Sequence, residues 1–159
     1  MKITIIAVGK IKEKYLSAGI AEFTKRLGPF CRLSIIEADE ERMPENPSDA
    51  EKTKALDKEA EKVIKHLRPD SYVIVLDVAG KLSSSEELAE KFAALALSGK
   101  SDLTFIIGGA FGLSQKLISA ANERLSFSKM TFTHQMIRLL LVEQIYRAFK
   151  INRGEPYHW

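Results

Sequence analysis

A chain of 159 residues is long enough to form one domain that buries most of a hydrophobic core. Its apolar share of 45% and charged share of 28% are typical of a soluble globular protein, and no apolar run approaches the roughly 20 residues of a membrane helix. The single cysteine, Cys31, excludes an intrachain disulfide framework and a cysteine-based zinc site, so we expect a cytoplasmic protein.

Apolar runs alternate with helical patterns along the chain. In chain order, the predicted strands are Ile3–Gly9, Cys31–Ala38, Ser71–Asp77, Asp102–Gly109 and Leu125–Ser128. The predicted helices are Tyr15–Leu27, one capped by Ser48 with Glu51, one capped by Ser83 with Glu86, a short one capped by Ser114, and one at about 134–151. This alternation predicts an α/β fold with a parallel sheet and helices on both faces, in a single domain of residues 1–159.

Three segments follow the predicted strands of the C-terminal half. They are the turn "DVAGK" at Asp77, the glycine cluster of "FIIGGAFGLS", and the residues after "LSFS". In parallel sheets, ligands bind outside the carboxyl ends of the strands. We therefore expect these three loops to meet at one edge of the sheet and to form a site there.

The glycine cluster does not match the known phosphate loops. "GGAFGLSQK" lacks the spacing of a Walker A loop, and Gly108, Gly109 and Gly112 do not follow the dinucleotide pattern. The loop contains no lysine, and Phe111 stands where a phosphate loop needs a small or polar residue. The pattern indicates an uncharged or cationic ligand held by the backbone, or only a tight turn. Ser114 is interpreted as an N-cap, because "GAFGLS" is not a nucleophile elbow.

The last predicted helix is apolar on nearly every side, which indicates burial on more than one side. The second side would meet a partner subunit in a two-fold homodimer, or would be buried within the chain. From Arg124 onward the chain has six basic and two acidic residues. Such a bias permits an anionic partner such as RNA, but on charge alone a solvated surface that is basic by chance is the favoured explanation.

The three histidines, His66, His134 and His158, have no metal-binding spacing, so we expect no metal site. His134, at the start of the long helix, is expected to cap that helix or to touch a ligand. The terminal "EPYHW" is either docked or disordered, because chain ends fray but aromatic residues are costly to expose.

Three segments together resemble one known family. "IIGGAFGLS", "LSFSKMTFTHQMIRLLLVEQIYRAFKI" and the terminal "PYH" are similar to the RlmH family of SPOUT methyltransferases, over essentially the whole chain. The resemblance implies a C-terminal trefoil knot and a homodimer with its active site at the subunit interface. It also implies methylation of N3 of a pseudouridine in helix 69 of 23S rRNA, with S-adenosylmethionine as cofactor and the assembled ribosome as substrate.

The resemblance also assigns residues. It implies that S-adenosylmethionine contacts Leu76, Gly108, Phe127, Ser128, Lys129, Met130, Thr131 and Phe132. It implies that the tail, with Tyr157 and His158, reaches the partner subunit's cofactor site and helps to hold RNA. Because the N3 proton must leave, our hypothesis is that His158 assists its removal while Tyr157 positions the substrate. Arg138 and Arg153 are expected to contact RNA or the interface. The family often has a basic residue after "PYH", whereas this chain has Trp159, a side chain able to stack on a base.

Overall fold

The structure is a computed structural model that describes residues 1–158. Its strands are Lys2–Val8 (β1), Arg32–Ala38 (β2), Tyr72–Leu82 (β3), Asp102–Ile107 (β4) and Glu123–Ser126 (β5). Its helices are Lys14–Leu27 (α1), Asp49–Ile64 (α2), Ser85–Leu97 (α3), Gln115–Ala120 (α4) and Met136–Asn152 (α5). The strands form one sheet in the order β2-β1-β4-β3-β5, and every neighbouring pair is parallel. The expectation of an α/β fold with a parallel sheet is confirmed.

Hydrophobic clusters cover both faces of the sheet. On one face, Ile5 and Phe105 of the central strands are buried with residues of α3 and α5, such as Phe92 and Ile145. On the other face, Ile6 and Ile106 are buried with residues of α2 and α4. Neighbouring residues of β1 and β4 thus point to opposite faces and are all buried. This is why these strands are continuously apolar in sequence.

Several boundaries differ from the sequence predictions. Strand β3 continues to Leu82 because its pairing with β5 shifts between Leu76 and Lys81, both of which pair with Leu125. The chain between these two residues bulges out at the edge of the sheet. Strand β5 begins and ends two residues earlier than predicted.

The helix caps are confirmed at two positions and shifted at one. Ser48 forms a capping box with Glu51, and Ser114 accepts a hydrogen bond from Leu117 N. The predicted box of Ser83 with Glu86 is wrong by one residue. The structure uses Ser84 with Glu87, because this register satisfies both the N-cap and the N3 backbone N–H groups.

Helix α5 lies against both α1 and α3 and packs on the sheet. Its residues Leu141, Val142, Ile145 and Ala148 are fully buried, and its aromatic residues pack against neighbours within the chain. Much of the apolar surface that suggested a partner is therefore covered within the chain. Exposed large apolar residues lie elsewhere, among them Val78, Leu82, Met130 and Phe132.

No helix within residues 1–158 is both long and apolar enough to cross a membrane. The strand order and register do not test the expected trefoil knot, which stays a prediction.

Candidate functional site

The three segments expected to meet do lie around one cavity, which we call the strand-end pocket. Its volume is about 290 Å³. Leu76, Asp77 and Val78 of β3 form one side, and the turn from Gly108 to Leu113 after β4 forms the second. The segment after β5 forms the third, and His134 and Ile137 close the site from the start of α5. The pocket lies at the carboxyl ends of adjacent strands, as the parallel sheet predicts.

The glycine turn after β4 is closed by its own backbone. Gly112 N donates to Gly109 O at 3.1 Å, and Gly112 has φ +87°, a conformation that favours glycine. A Cβ atom on Gly108 would lie 2.3 Å from Gly112 O, which is closer than any real contact. Gly108 is thus required by the turn itself, although it also lines the pocket.

The segment after β5 is stabilised by hydrogen bonds between residues that are close in sequence. Ser126 Oγ donates to Ser128 O, and Ser128 Oγ accepts from Met130 N. Phe127, Ser128, Met130, Thr131 and Phe132 line the pocket. Met130 and Phe132 are exposed, so the pocket has an apolar rim open to solvent.

Of the eight residues predicted to hold the cofactor, the structure brings seven together around the pocket: Leu76, Gly108, Phe127, Ser128, Met130, Thr131 and Phe132. Lys129 is exposed and lies outside the lining. Asp77 and Ala110 also line the pocket and lie within segments that the sequence placed at the site, although neither was named as a cofactor contact. Ile137 was not predicted, and its position in the first turn of α5 was the available signal.

Asp77 is the acidic residue of the lining, and it is fully engaged. Its Oδ2 accepts hydrogen bonds from Arg124 Nε at 2.6 Å and Arg124 Nη2 at 2.5 Å, while its Oδ1 accepts from Ala79 N. This pair joins the bulge of β3 to β5. Because its oxygens are occupied by Arg124 and Ala79, the role of Asp77 is to shape the pocket edge.

Arg138 is placed differently from its sequence expectation. Its guanidinium is completely buried and donates to Val8 O at 2.9 Å, Gly9 O at 2.8 Å and Glu37 Oε1 at 3.0 Å. The proposed RNA contact is therefore corrected: Arg138 ties α5 to the carboxyl end of β1, and its side chain does not reach the surface.

His134 lies four residues before Arg138 and lines the strand-end pocket. It is half-buried, and burial together with the positive charge of Arg138 lowers its pKa from 6.5. The imidazole is consequently neutral at neutral pH. From the sequence, His134 was expected either to cap the long helix or to touch a ligand that was not named.

The C-terminal tail, residues 153–158, is docked on its own chain. Tyr157 Oη donates to Glu143 Oε1 at 3.0 Å, and its ring packs on the Arg147 guanidinium, 4.7 Å from the ring centroid. Burial and the neighbouring Glu143 raise the pKa of Tyr157. This placement resolves the sequence alternative for residues up to 158 in favour of docking, while Trp159 lies outside the described residues.

His158 uses both ring nitrogens in this docked position. Its Nε2 lies 2.7 Å from Glu86 Oε1, and its Nδ1 lies 3.2 Å from Arg147 Nη1. Neither Tyr157 nor His158 lines the strand-end pocket of its own chain. They dock near a second cleft of about 310 Å³, lined in part by Ser83, Ser84 and Ser85, which shares Phe127 and Phe132 with the pocket.

Arg153 is the exposed basic residue at the start of this tail. About half of its side-chain surface (52%) is accessible, its guanidinium packs 4.3 Å from the Phe30 ring centroid, and Glu155 lies 3.7 Å away. Arg153 is thus accessible to solvent while it contacts Phe30 and Glu155. As for metals, residues 1–158 contain no cluster of His, Cys, Asp or Glu suited to bind one.

Comparison with known proteins identifies the class to which this chain belongs. Residues 1–158 match a family model described as predicted SPOUT methyltransferase. A probable methylase family protein from Haemophilus influenzae has a similar structure, with a TM-score of 0.54 and 18% identity over 99% of this chain and 70% of its own. A probable methyltransferase from Bordetella pertussis gives a TM-score of 0.59 at 15% identity, covering 92% and 93%. At such identities, these two structures support the fold alone.

Closer relatives carry a more specific name. The ribosomal RNA large subunit methyltransferase H of Halothermothrix orenii is 59% identical over 158 residues, and that of Carboxydothermus hydrogenoformans is 56% identical over 158 residues. Each alignment covers 99% of both chains. The chain belongs to the SPOUT methyltransferases and, within them, to the RlmH family.

Proposed function

We propose that this chain transfers a methyl group from S-adenosylmethionine to N3 of a pseudouridine in helix 69 of 23S rRNA. The observation that carries the proposal is the strand-end pocket, an apolar cavity whose lining, within residues 1–158, contains neither lysine nor arginine. The names of the relatives that are 59% and 56% identical support large-subunit rRNA as the substrate. An enzyme of this kind acts in the cytoplasm, where ribosomes are found.

The chemistry of the lining fits S-adenosylmethionine. Ile107, Leu125 and Ile137 offer apolar walls for an adenine ring, and the turn from Gly108 to Leu113 offers backbone donors and acceptors. A lining without cations does not repel the positive sulfonium, and it offers no cationic side chain to the phosphates of another kind of cofactor. When bound, S-adenosylmethionine supplies an electrophilic methyl group.

We assign the donor contacts to the residues around the pocket. They are Leu76, Gly108, Phe127, Ser128, Met130, Thr131 and Phe132, with Lys129 at the outer rim. Their task is to hold the methyl group in line with the attacking nitrogen and to exclude water. Fixed orientation of this kind supplies a large part of the rate of a two-substrate reaction.

A homodimer would complete the site. The pocket has an apolar rim that includes Val78, Met130 and Phe132, all exposed in the single chain. Exposed apolar groups around a pocket are typical of an interface. Because the tail of the same chain is bound to Glu86, Glu143 and Arg147, we assign Tyr157 and His158 to the pocket of a second copy, where they position the target base.

Arg153 is our proposed RNA contact. It is exposed, and it lies at the base of the tail that would approach the partner's pocket. Binding through phosphate contacts weakens with added salt, because counterions are released. An affinity for ribosomes that does not change with salt would contradict this docking surface.

The test is methylation of 70S ribosomes isolated from cells that lack the modification, with transfer RNA as the competing substrate. We expect labelled methyl groups in 23S rRNA at N3 of the helix 69 pseudouridine, located by mass spectrometry, and none in transfer RNA. Ser128→Arg would fill the pocket and abolish both the labelling and the binding of S-adenosylhomocysteine. Ser119→Arg adds the same charge on exposed α4 and is the matched control. Labelling of transfer RNA instead would indicate a related RNA methyltransferase.

A further inference from the structure

Within residues 1–158, His134 is the titratable side chain of the strand-end pocket that has no hydrogen-bond partner inside the protein. Within residues 1–158 its ring makes no hydrogen bond, while the other titratable residue of the lining, Asp77, is bound by Arg124 and Ala79. Ser126 and Ser128 also use their hydroxyl groups within their own loop. Among these groups, the imidazole is the one with unused hydrogen-bonding capacity.

The His134 ring is held in place from its other side. A Cβ atom on Gly9 would lie 3.4 Å from His134 Nε2 and 3.2 Å from Glu40 Oε2, so the Nε2–Cδ2 edge packs over a position that only glycine leaves open. Gly9 has φ +86°, which gives a second reason for glycine there. The ring vertex opposite this edge is Nδ1. The His134 ring therefore packs on Gly9 with its Nε2–Cδ2 edge. Its second nitrogen, Nδ1, lies on the side of the ring away from Gly9.

Arg138 holds the segment that carries His134 against the end of β1. It lies one turn after His134 and is bonded to Val8 O and Gly9 O, so the start of α5 and the end of β1 are fixed relative to each other. The imidazole lies in the turn that precedes α5, next to these buried contacts of Arg138. Such support is what a group needs if it is to act on a substrate with fixed geometry.

The charges around the ring favour its neutral form. Burial has the largest effect, Arg138 and Lys12 act in the same direction, and Glu40 opposes them, so the pKa falls below 6.5. A neutral imidazole has one nitrogen lone pair available to accept a proton. By contrast, both ring nitrogens of His158 are engaged with Glu86 and Arg147 in the docked tail, and these contacts must be released before His158 can reach a second copy.

We propose that His134 is the base that removes the N3 proton of the target base in the pocket of its own chain. The inference rests on the proposed function and adds a residue to it. The N3–H bond breaks and its proton passes to an imidazole nitrogen. The N3 electron pair forms the bond to the methyl carbon, and the pair of the carbon–sulfur bond stays on sulfur. The imidazolium then releases its proton to water, which restores the enzyme.

The test is single-turnover methylation of 70S ribosomes at saturating ribosome and cofactor, measured from acidic to neutral pH. For the unmodified chain, the rate should rise tenfold per pH unit and level off below pH 6.5, where the imidazole becomes neutral. His134→Gln fills the same space and cannot take the proton. Its rate should fall about 10²- to 10⁴-fold and its pH profile should lose this levelling step.

A second variant and a control separate catalysis from structure. His134→Ala should regain part of its rate when imidazole is added to the assay, which a purely structural defect would not do. His66→Gln makes the same exchange at an exposed position after α2 and should behave as the unmodified chain. Binding of S-adenosylhomocysteine, measured by calorimetry, should persist in all three variants.

The outcomes distinguish the two proposals. If the unmodified chain methylates 23S rRNA while His134→Gln keeps its rate and pH profile, the role of His134 is overturned and the proposed function stands. If His134→Ala is inactive and imidazole restores nothing, the role is likewise overturned. If the unmodified chain neither binds S-adenosylhomocysteine nor methylates ribosomes, the proposed function itself fails.

Discussion

The strand-end pocket and the C-terminal tail are held in place in opposite ways. The pocket is formed by backbone turns and buried residues at the ends of β1, β3, β4 and β5, with Gly108 closed against Gly112 and Arg138 locked to β1. The tail is held at a partly exposed surface by hydrogen bonds, an ion pair and the packing of the Tyr157 ring on Arg147 and Tyr146. The exposed ion pair of His158 with Glu86 contributes little free energy and is easily exchanged. The comparison indicates a fixed binding site and a movable segment.

The largest expected effect is on the anchor of the pocket. Arg138→Met would leave Val8 O, Gly9 O and the Glu37 carboxylate without their buried donor. We expect a loss of about 3–5 kcal/mol in the free energy of unfolding, measured by urea denaturation. Arg26→Met removes an exposed pair with Glu22 and should cost about 1 kcal/mol or less. Equal losses in the two variants would contradict a rigid pocket.

The glycine turn should show the next largest effect. Gly108→Ala places a methyl group 2.3 Å from Gly112 O, so the turn must open, at a cost of about 1–3 kcal/mol and most of the affinity for S-adenosylhomocysteine. Gly112→Ala meets no atom within 4 Å and adds only the strain of its positive φ, roughly 1–2 kcal/mol. Thermal melts with and without S-adenosylhomocysteine compare them. If Gly108→Ala and Gly112→Ala bound S-adenosylhomocysteine with similar affinities, the close approach of Gly108 to Gly112 would not be what shapes the site.

Changes in the tail should leave the pocket intact. Tyr157→Phe removes one hydrogen bond to Glu143, which keeps its bonds from Arg147 and Gln144. We expect a loss of about 0.5–1.5 kcal/mol in stability and an unchanged affinity for S-adenosylhomocysteine. Tyr15→Phe, at a largely exposed position of α1, is the control. A marked loss of cofactor affinity in Tyr157→Phe would mean that the tail takes part in cofactor binding and does not only position the target base.

The smallest effect concerns the pH dependence of stability. Because the pKa of His134 is lowered in the folded chain, the unfolded chain binds more protons, and the stability contribution present above pH 6.5 is lost as pH falls. The His134→Gln variant has no imidazole at this position, so its free energy of unfolding lacks this pH dependence. The difference in free energy of unfolding between the unmodified chain and the variant should therefore shrink below pH 6.5. Urea titrations on either side of that pH measure it. A difference that stays constant with pH would show that burial does not affect this imidazole.

The fold and most of the pocket were predictable because strand ends and turns are local signals. The apolar runs defined five strands, and the parallel arrangement brought Leu76, Gly108 and Phe127 to the same edge. The capping box near Ser84 was misplaced because three consecutive serines precede two glutamates, and only the helix register distinguishes them.

The remaining differences depend on tertiary partners. Arg138 was expected at the surface because arginine is rarely buried without a partner, and its partners, Glu37 and two carbonyl groups of β1, are about 100 or more residues away in sequence. Likewise, docking of the tail depends on Glu86 of α3 and on Glu143 and Arg147 of α5. No local pattern in the tail could reveal these contacts.

The most direct test of the central claim, a fixed pocket completed by a movable tail from a second copy, is complementation in mixed dimers. One partner carries Ser128→Arg, which blocks the pocket, and the other lacks residues 156–159, which removes the tail. Each variant alone should be inactive. After mixing in equal amounts, about half of the dimers pair the two variants and each has one complete site, so about a quarter of the unmodified activity should return. No recovery, or full activity of the truncated chain alone, would contradict the claim.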